Sequence, residues 1–255
     1  MTDLTRPVGH MTAPPLQRTS AADEVFHILH EQILSGKLKA GDKLPSQEKL
    51  AKQLGVSRAT LREAMRVFEN QGLIHRRQGV GTFVVPPSQI IETGLEVLES
   101  ILSQAERKDL EINVGPYTAI ERDAKGEECE TLQLGTTCKV LQVTWVMETP
   151  DRPVAYLKDV LPAGILDKED IQLQFRGSVL DLLLNKSYLD LTTSRTEISA
   201  VAAPAKVAKA LGIQRGDVVL CFTATLYSSD GRVIDYSHSY YLPGYFKFHV
   251  VRKVR

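Results

Sequence analysis

Apolar residues recur at Val25, Phe26, Ile28, Leu29, Ile33 and Leu34 in "ADEVFHILHEQILSG", a spacing that predicts a helix with one buried side, closed by Gly36. After "KLKAGDKLP", Ser46 is placed to cap a second, short helix, "QEKLAKQL", and Gly55 to end it. Ser57 caps a third helix running to about Asn70, with Val56 before the cap and Leu61 in the first turn as a hydrophobic staple. Along that helix Leu61, Ala64, Met65 and Phe68 keep to the core side, while Arg58, Thr60 and Arg62 lie on or near the opposite one. In "LIHRRQGVGTFVVPP" strand-like residues alternate around a Gly79 to Gly81 turn, which predicts a hairpin.

Residues 88–106 place Ile91, Leu95, Leu98 and Leu102 on one face and predict an amphipathic helix that opens a second domain. Beyond it the period changes. "KVLQVTWVMETPDRPVAYLKDVLP" and "DVVLCFTATLYSSDGRVIDYSHSYYLP" each read as two strands around a turn, and each follows a short helix ending in Leu-Gly. This is an internal duplication. Between the two blocks lie a helix, "SVLDLLLN", and a strand, "LDLTTSRTEISAV", and "FKFHVVRKV" is a last strand. The expected class is α+β, with an arm at 1–19, a winged helix at 20–86 and a mainly antiparallel domain at 87–255.

Composition narrows the function. With 255 residues, 43% hydrophobic and 24% charged, the chain reads as two ordinary globular domains. No apolar run approaches the roughly 18 residues of a membrane span, and the first twenty residues lack a signal peptide's apolar core. Neither the three cysteines nor the six histidines show metal-ligand spacing, so no metal or cofactor is expected. Net charge is zero, yet from Lys52 to Thr82 there are six basic residues against two acidic ones. That local excess is what a phosphate backbone would meet.

Three helices and a hairpin in this order make a winged helix-turn-helix, whose third helix enters the major groove with its N-terminal residues nearest the bases. Arginine suits that position because its planar fork bonds guanine O6 and N7 together. Ser57 and the helix N-terminus offer donors to a phosphate, and Arg76, Arg77 and Gln78 on the hairpin offer contacts to the backbone edge or minor groove. The alternative is a solvated basic face on a small helical domain.

The segment "AGDKLPSQEKLAKQLGVSRATLREAMRVFENQGLIHRRQGVGTFV" resembles the DNA-binding domain of the GntR family of bacterial regulators. The resemblance implies DNA contacts at Ser57, Arg58, Thr60, Arg62, Gln78, Gly79 and Thr82. One departure stands out: Glu48 occupies a position where many members have arginine. The second domain is similar to the UTRA domain of the HutC subfamily, itself chorismate-lyase-like, through "DRPVAYLKDVLP", "GSVLDLL" and "DGRVIDYSHSYYLPGYFKF". This implies a homodimeric, cytoplasmic sensor that binds a near-palindromic operator in double-stranded DNA and is commonly released by a small-molecule effector.

For the effector, Trp145 offers a stacking surface, and Arg176 and Ser178 stand at a turn before a short helix that could hold a carboxylate or phosphate. Asp235, Tyr236, Ser237 and Tyr241 match the strand that completes the pocket in relatives, with Asp159 and Arg195 as further candidates. Trp145 and Met147 stand where phosphosugar-binding members tend to carry arginines, so a carboxylated or aromatic metabolite is expected. Rival readings are an activator, a lyase-like enzyme, for which no catalytic residues stand out, and a winged helix that binds protein.

Overall fold

The computed structural model describes residues 20–70, 72–77, 79–85, 91–107, 110–135 and 138–252. The expected arm at 1–19 and the wing residue Gln78 lie outside the described residues. In the first unit, α1 (Ala21–Leu34), α2 (Gln47–Leu54) and α3 (Arg58–Asn70) precede the antiparallel pair β1 (Ile74–Arg77) and β2 (Gly81–Val84). Ser20 and Asp23 form a capping box on α1, Ser46 accepts the Lys49 N–H on α2, and Gly55 ends α2 at a left-handed φ of 67°. Leu61 and Phe68 are enclosed by Val25, Leu29, Leu50 and Met65, each such side chain contributing roughly 1.5–3 kcal/mol. A backbone bridge from Lys43 to Phe83 extends the wing, and the Lys43 ammonium lies over the Phe83 ring.

The second unit departs from expectation at its start. Residues 88–106 are not one helix: Ile91–Gly94 is a strand, β3, parallel to β10 (Phe246–His249), and only Ile101–Glu106 is helical, α4. The local period is two, with Ile91 and Thr93 buried and Glu92 exposed. Ile91 N–H donates to the Tyr245 carbonyl and Leu95 N–H to that of His249, bonds a helix could not make. Ser100 then caps α4 by accepting the Ser103 N–H.

The remaining elements are β4 (Asn113–Asp123), α5 (Gly126–Thr131), β5 (Lys139–Glu148), β6 (Pro153–Pro162), α6 (Lys168–Gln174), α7 (Val179–Leu184), β7 (Leu191–Ala202), α8 (Ala205–Leu211), β8 (Val218–Ser228) and β9 (Val233–Tyr241). β4 has no counterpart among the predicted elements, because Gly115 and Pro116 interrupt its pattern where its register slips. Six antiparallel strands form one sheet in the order β4-β5-β6-β9-β8-β7. The duplication predicted from sequence is visible in that order: β4–α5–β5–β6 and β7–α8–β8–β9 are equivalent halves whose inner strands meet at the centre. α5 packs on β9 and α8 on β6, so each half lays its helix across the inner strand of the other. α6 and α7 cover the opposite face, where Phe175 meets Trp145 edge to face at 5.8 Å.

The two units touch at the far end of α3. Arg66 donates to Asp217 at 2.5 Å, and Arg152 to the carbonyls of Glu69 and Leu211. At Gly72, with φ of 66°, a Cβ would fall 2.7 Å from the Gly244 carbonyl carbon, so only glycine permits this approach.

Candidate nucleic-acid interface and ligand cavity

Capping and periodicity position the N-terminal end of α3. Thr60 N–H donates to Ser57 Oγ at 3.0 Å, and the Ser57 and Thr60 hydroxyls lie 2.8 Å apart, so the first turn is held as a unit. Ser57, Arg58 and Arg62 are exposed, while Leu61 and Met65 of the same helix are buried. The helix is anchored by one side and presents the other. Arg58 forms an ion pair with Glu48 of α2, so the departure noted in the sequence places a carboxylate directly on the candidate reading arginine. Arg62, Arg76 and Thr82 line one groove between α3 and the wing, and Gly79 turns the wing tip at φ of 75°. Of the candidate DNA residues, Arg62 and Thr82 thus share one groove, and Ser57, Arg58 and Thr60 share the first turn of α3.

Sheet register builds the second site. Trp145 lies opposite Tyr117 and Leu157, Leu157 opposite Ser239, and Ser239 opposite Phe222. In the next row Asp159 lies opposite Val143 and Ser237, Ser237 opposite Ala224, and Ala224 opposite Thr196. These two rows floor a cavity of about 150 Å³, walled by Gly177, Ser178 and Val179 before α7 and by Leu98–Leu102 before and within α4. Trp145, Asp159, Ser178, Asp235 and Tyr241 therefore come together as the sequence suggested. Thr196, Ser239, Phe222 and Glu99 also line it and were missed. Alternation alone would have found some of them, since Asp235, Ser237, Ser239 and Tyr241 must share one face.

The same alternation excludes other candidates from the cavity. Tyr236 points to the opposite face, where its hydroxyl donates to Glu127 at 2.7 Å beneath α5. Arg195 lies on the outer edge strand, paired with Glu197 at 2.7 Å and exposed. Arg176 is also exposed, donating to the carbonyls of Leu173 and Phe175. Ser178 Oγ accepts the Asp181 N–H at 3.0 Å, and the Asp181 carboxylate is bound by Ser100 at 2.7 Å. The α7 N-terminal amide is thus capped by a neutral hydroxyl, and the Asp181 carboxylate in the first turn is held by Ser100.

At the centre of the cavity floor sit two carboxylates from different halves of the duplication. Burial raises the Asp159 carboxyl above the usual carboxylate range, the Trp145 indole N–H opposing that shift without reaching hydrogen-bond geometry. Burial and the proximity of Asp159 also raise Asp235, partly offset by the Val160 and Tyr236 amides and the Ser237 hydroxyl. Asp159 Oδ2, Asp235 Oδ1 and Trp145 Nε1 are all buried without a hydrogen-bond partner among the described residues. Three orphaned polar atoms in one cavity call for a ligand or water. On the opposite face Glu128 is bound by Arg122 through two hydrogen bonds of 2.7 Å and Lys158 lies 3.9 Å away, while Tyr156 Oη and His238 Nδ1 are buried without a partner among the described residues.

Among the described residues there is no group of His, Cys, Asp and Glu that could hold a metal ion, and no helix is long and apolar enough to cross a membrane. Residues 21–84 match the model of the bacterial regulatory proteins of the gntR family, and residues 117–247 match the UTRA domain. The HTH-type transcriptional repressor NagR of Bacillus subtilis is 29% identical over 223 residues, covering 86% of this chain and 88% of NagR. The HTH-type transcriptional regulator Rv0792c of Mycobacterium tuberculosis is 29% identical over 249 residues, covering 90% of this chain and 85% of that protein. The crystal structure of PhnF from Mycobacterium smegmatis shares the fold with a TM-score of 0.59 at 22% identity, covering 91% of this chain and 100% of PhnF.

Proposed function

The chain belongs to the gntR family of bacterial regulatory proteins with a UTRA domain, and from that premise we propose a repressor that leaves its operator when a small molecule fills the cavity. DNA binding and the regulation of transcription come with the family; the similarity to NagR, named a repressor, favours repression over activation. Ser57, Arg58, Thr60 and Arg62 meet the major groove, and the wing, through Arg76, Gln78, Gly79 and Thr82, meets the backbone edge. The chain works in the cytoplasm as a homodimer on a near-palindromic site, 20–86 reading DNA and 87–255 sensing the ligand and pairing with a second copy. It does no catalysis.

The observation that carries this reading is the Arg66–Asp217 pair. It ties the far end of the reading helix to the sheet unit that holds the cavity, so movement of one unit biases the other. A ligand acts through such a joint only by binding one arrangement more tightly than the other. The test is fluorescence anisotropy on a DNA fragment that the protein selects from random sequence, followed by titration of metabolites. Binding that at least one cavity ligand weakens is the expected result; failure to select any DNA would overturn the reading.

A further inference from the structure

We infer that the cavity takes a cationic ligand, an ammonium or amidinium group seated between Asp159 and Asp235 with a small apolar or aromatic body against Trp145, Met147 and Phe222. This rests on reading the cavity as the effector site. Asp159 and Asp235 are 9% and 6% exposed, and each keeps one carboxylate oxygen unpartnered among the described residues. They stand on the two inner strands, Asp159 opposite Ser237 and thus diagonal to Asp235, at about 7–8 Å between backbones. A cation between them would satisfy both.

The charges around the pair favour the same sign. Among the described residues the groups facing it are each other, Tyr241 on β9 and Glu99 at the mouth, which is ion-paired with Arg107; no lysine or arginine lines the cavity itself. Lys158, beside Asp159 in sequence, lies on the other face of the sheet near Glu128. Arg176 and Arg195 are directed elsewhere, and the Ser178 hydroxyl accepts the Asp181 N–H at the α7 N-terminus. A carboxylate or phosphate ligand would enter a low-dielectric space with no lysine or arginine in its lining to neutralise it. The expectation of a carboxylated metabolite gives way to that of an amine or amidine.

Size and access fit a small molecule. At about 150 Å³ the cavity lies below the roughly 300–1,000 Å³ of drug-sized pockets. It opens through Leu98, Glu99 and Ile101 into a groove of about 490 Å³ beside β7. Without ligand, burial and the proximity of the two carboxyls raise both above the usual carboxylate range and so favour their protonated forms. An arriving cation favours the ionised pair, so the carboxyl proton leaves to solvent as the ammonium takes its place.

The experiment is calorimetry on the full chain with 2-phenylethylamine, benzamidine and putrescine, against 2-phenylethanol and phenylacetate, in buffers of different ionisation heat. At least one cation should bind about tenfold more tightly than the alcohol or acid, with protons released at neutral pH. Asp159→Asn and Asp235→Asn should each abolish that preference while the circular dichroism spectrum is kept. If a variant does not fold, proton release by the wild-type chain decides. Equal or tighter binding of the alcohol or acid, or no binding of any cation at millimolar concentration, overturns the inference. A neutral or anionic metabolite that releases the operator defeats the cationic inference and leaves the effector reading intact; cations that bind without changing operator affinity do the reverse.

Discussion

The carboxylate of Glu48 in α2 is ion-paired with the guanidinium of Arg58 at the start of α3, with 74% and 67% of the two side chains exposed. An exposed pair of this kind adds at most about 1 kcal/mol to stability, but here it lies where a phosphate or a base would approach. Replacing Glu48 by Ala should therefore tighten binding to non-specific DNA by up to about fivefold, with little change in melting temperature. Anisotropy on operator and random duplexes would show whether Glu48 restrains binding; weaker binding of both would mean that it positions Arg58 instead.

Arg62 stands in the groove shared by α3 and the wing. Arg62→Ala should weaken operator binding by about 1–3 kcal/mol if it reads a base, and relax sequence preference at one position. If each dimer makes six to ten phosphate contacts, affinity should fall by about 10³–10⁵ between 50 and 200 mM salt. A flat salt response would count against the DNA face assigned to this helix.

Arg66 is held by Glu63 at 2.7 Å and by Asp217 at 2.5 Å, which push its pKa further up. Asp217→Asn removes the charge on the sheet unit but leaves the exposed Arg58 and Arg62 side of α3 unchanged. Operator affinity without ligand should stay within about fivefold while the ligand's effect on it shrinks, as expected of a coupling residue. A full ligand response in Asp217→Asn would exclude this joint as the route.

Asp159 and Asp235 have folded pKa values raised above those of the unfolded chain. Such groups contribute stability that is present below the unfolded carboxylate range, near 4, and is lost as pH rises through the folded values. The ligand-free chain should thus melt lower at pH 8 than at pH 5 on their account, and Asp159→Asn should recover about 1–3 kcal/mol at pH 8. Denaturant melts across this range would measure it.

Glu128 has the opposite sign. Burial opposes its charge, but the Arg122 guanidinium and the Lys125 amide outweigh burial and bring its pKa down to about 2. Its stability is present above the unfolded value and lost as pH falls toward 2. Glu128→Gln leaves Arg122 short of a charge beneath α5 and should cost about 3–5 kcal/mol at pH 7, with the loss shrinking in acid.

The winged helix was legible because its signals are local. Ser46, Gly55 and Ser57 set the ends of their helices within a few residues, and Leu61 and Phe68 face the core at the spacing the sequence displays. The stretch 88–106 was misread for want of a distant fact: Ile91, Leu95, Leu98 and Leu102 fit a helix, but the backbone bonds of β3 go to residues near the other end of the chain. Tyr236 and Arg195 were grouped with the cavity because a motif match carries no information about faces, and one step along a strand reverses the face.

The sequence by itself determined that this chain has a third helix with an anchored side and a basic side, and that its second domain is a duplication. Those are properties of neighbours in the chain. Only the tertiary structure decided which buried groups face one another. Asp159 and Asp235 come from separate halves and meet because β6 and β9 pair at the centre of the sheet. Strand pairing is non-local, so the charge of the cavity, and with it the kind of molecule it suits, belongs to the register of the sheet and to no single stretch of sequence.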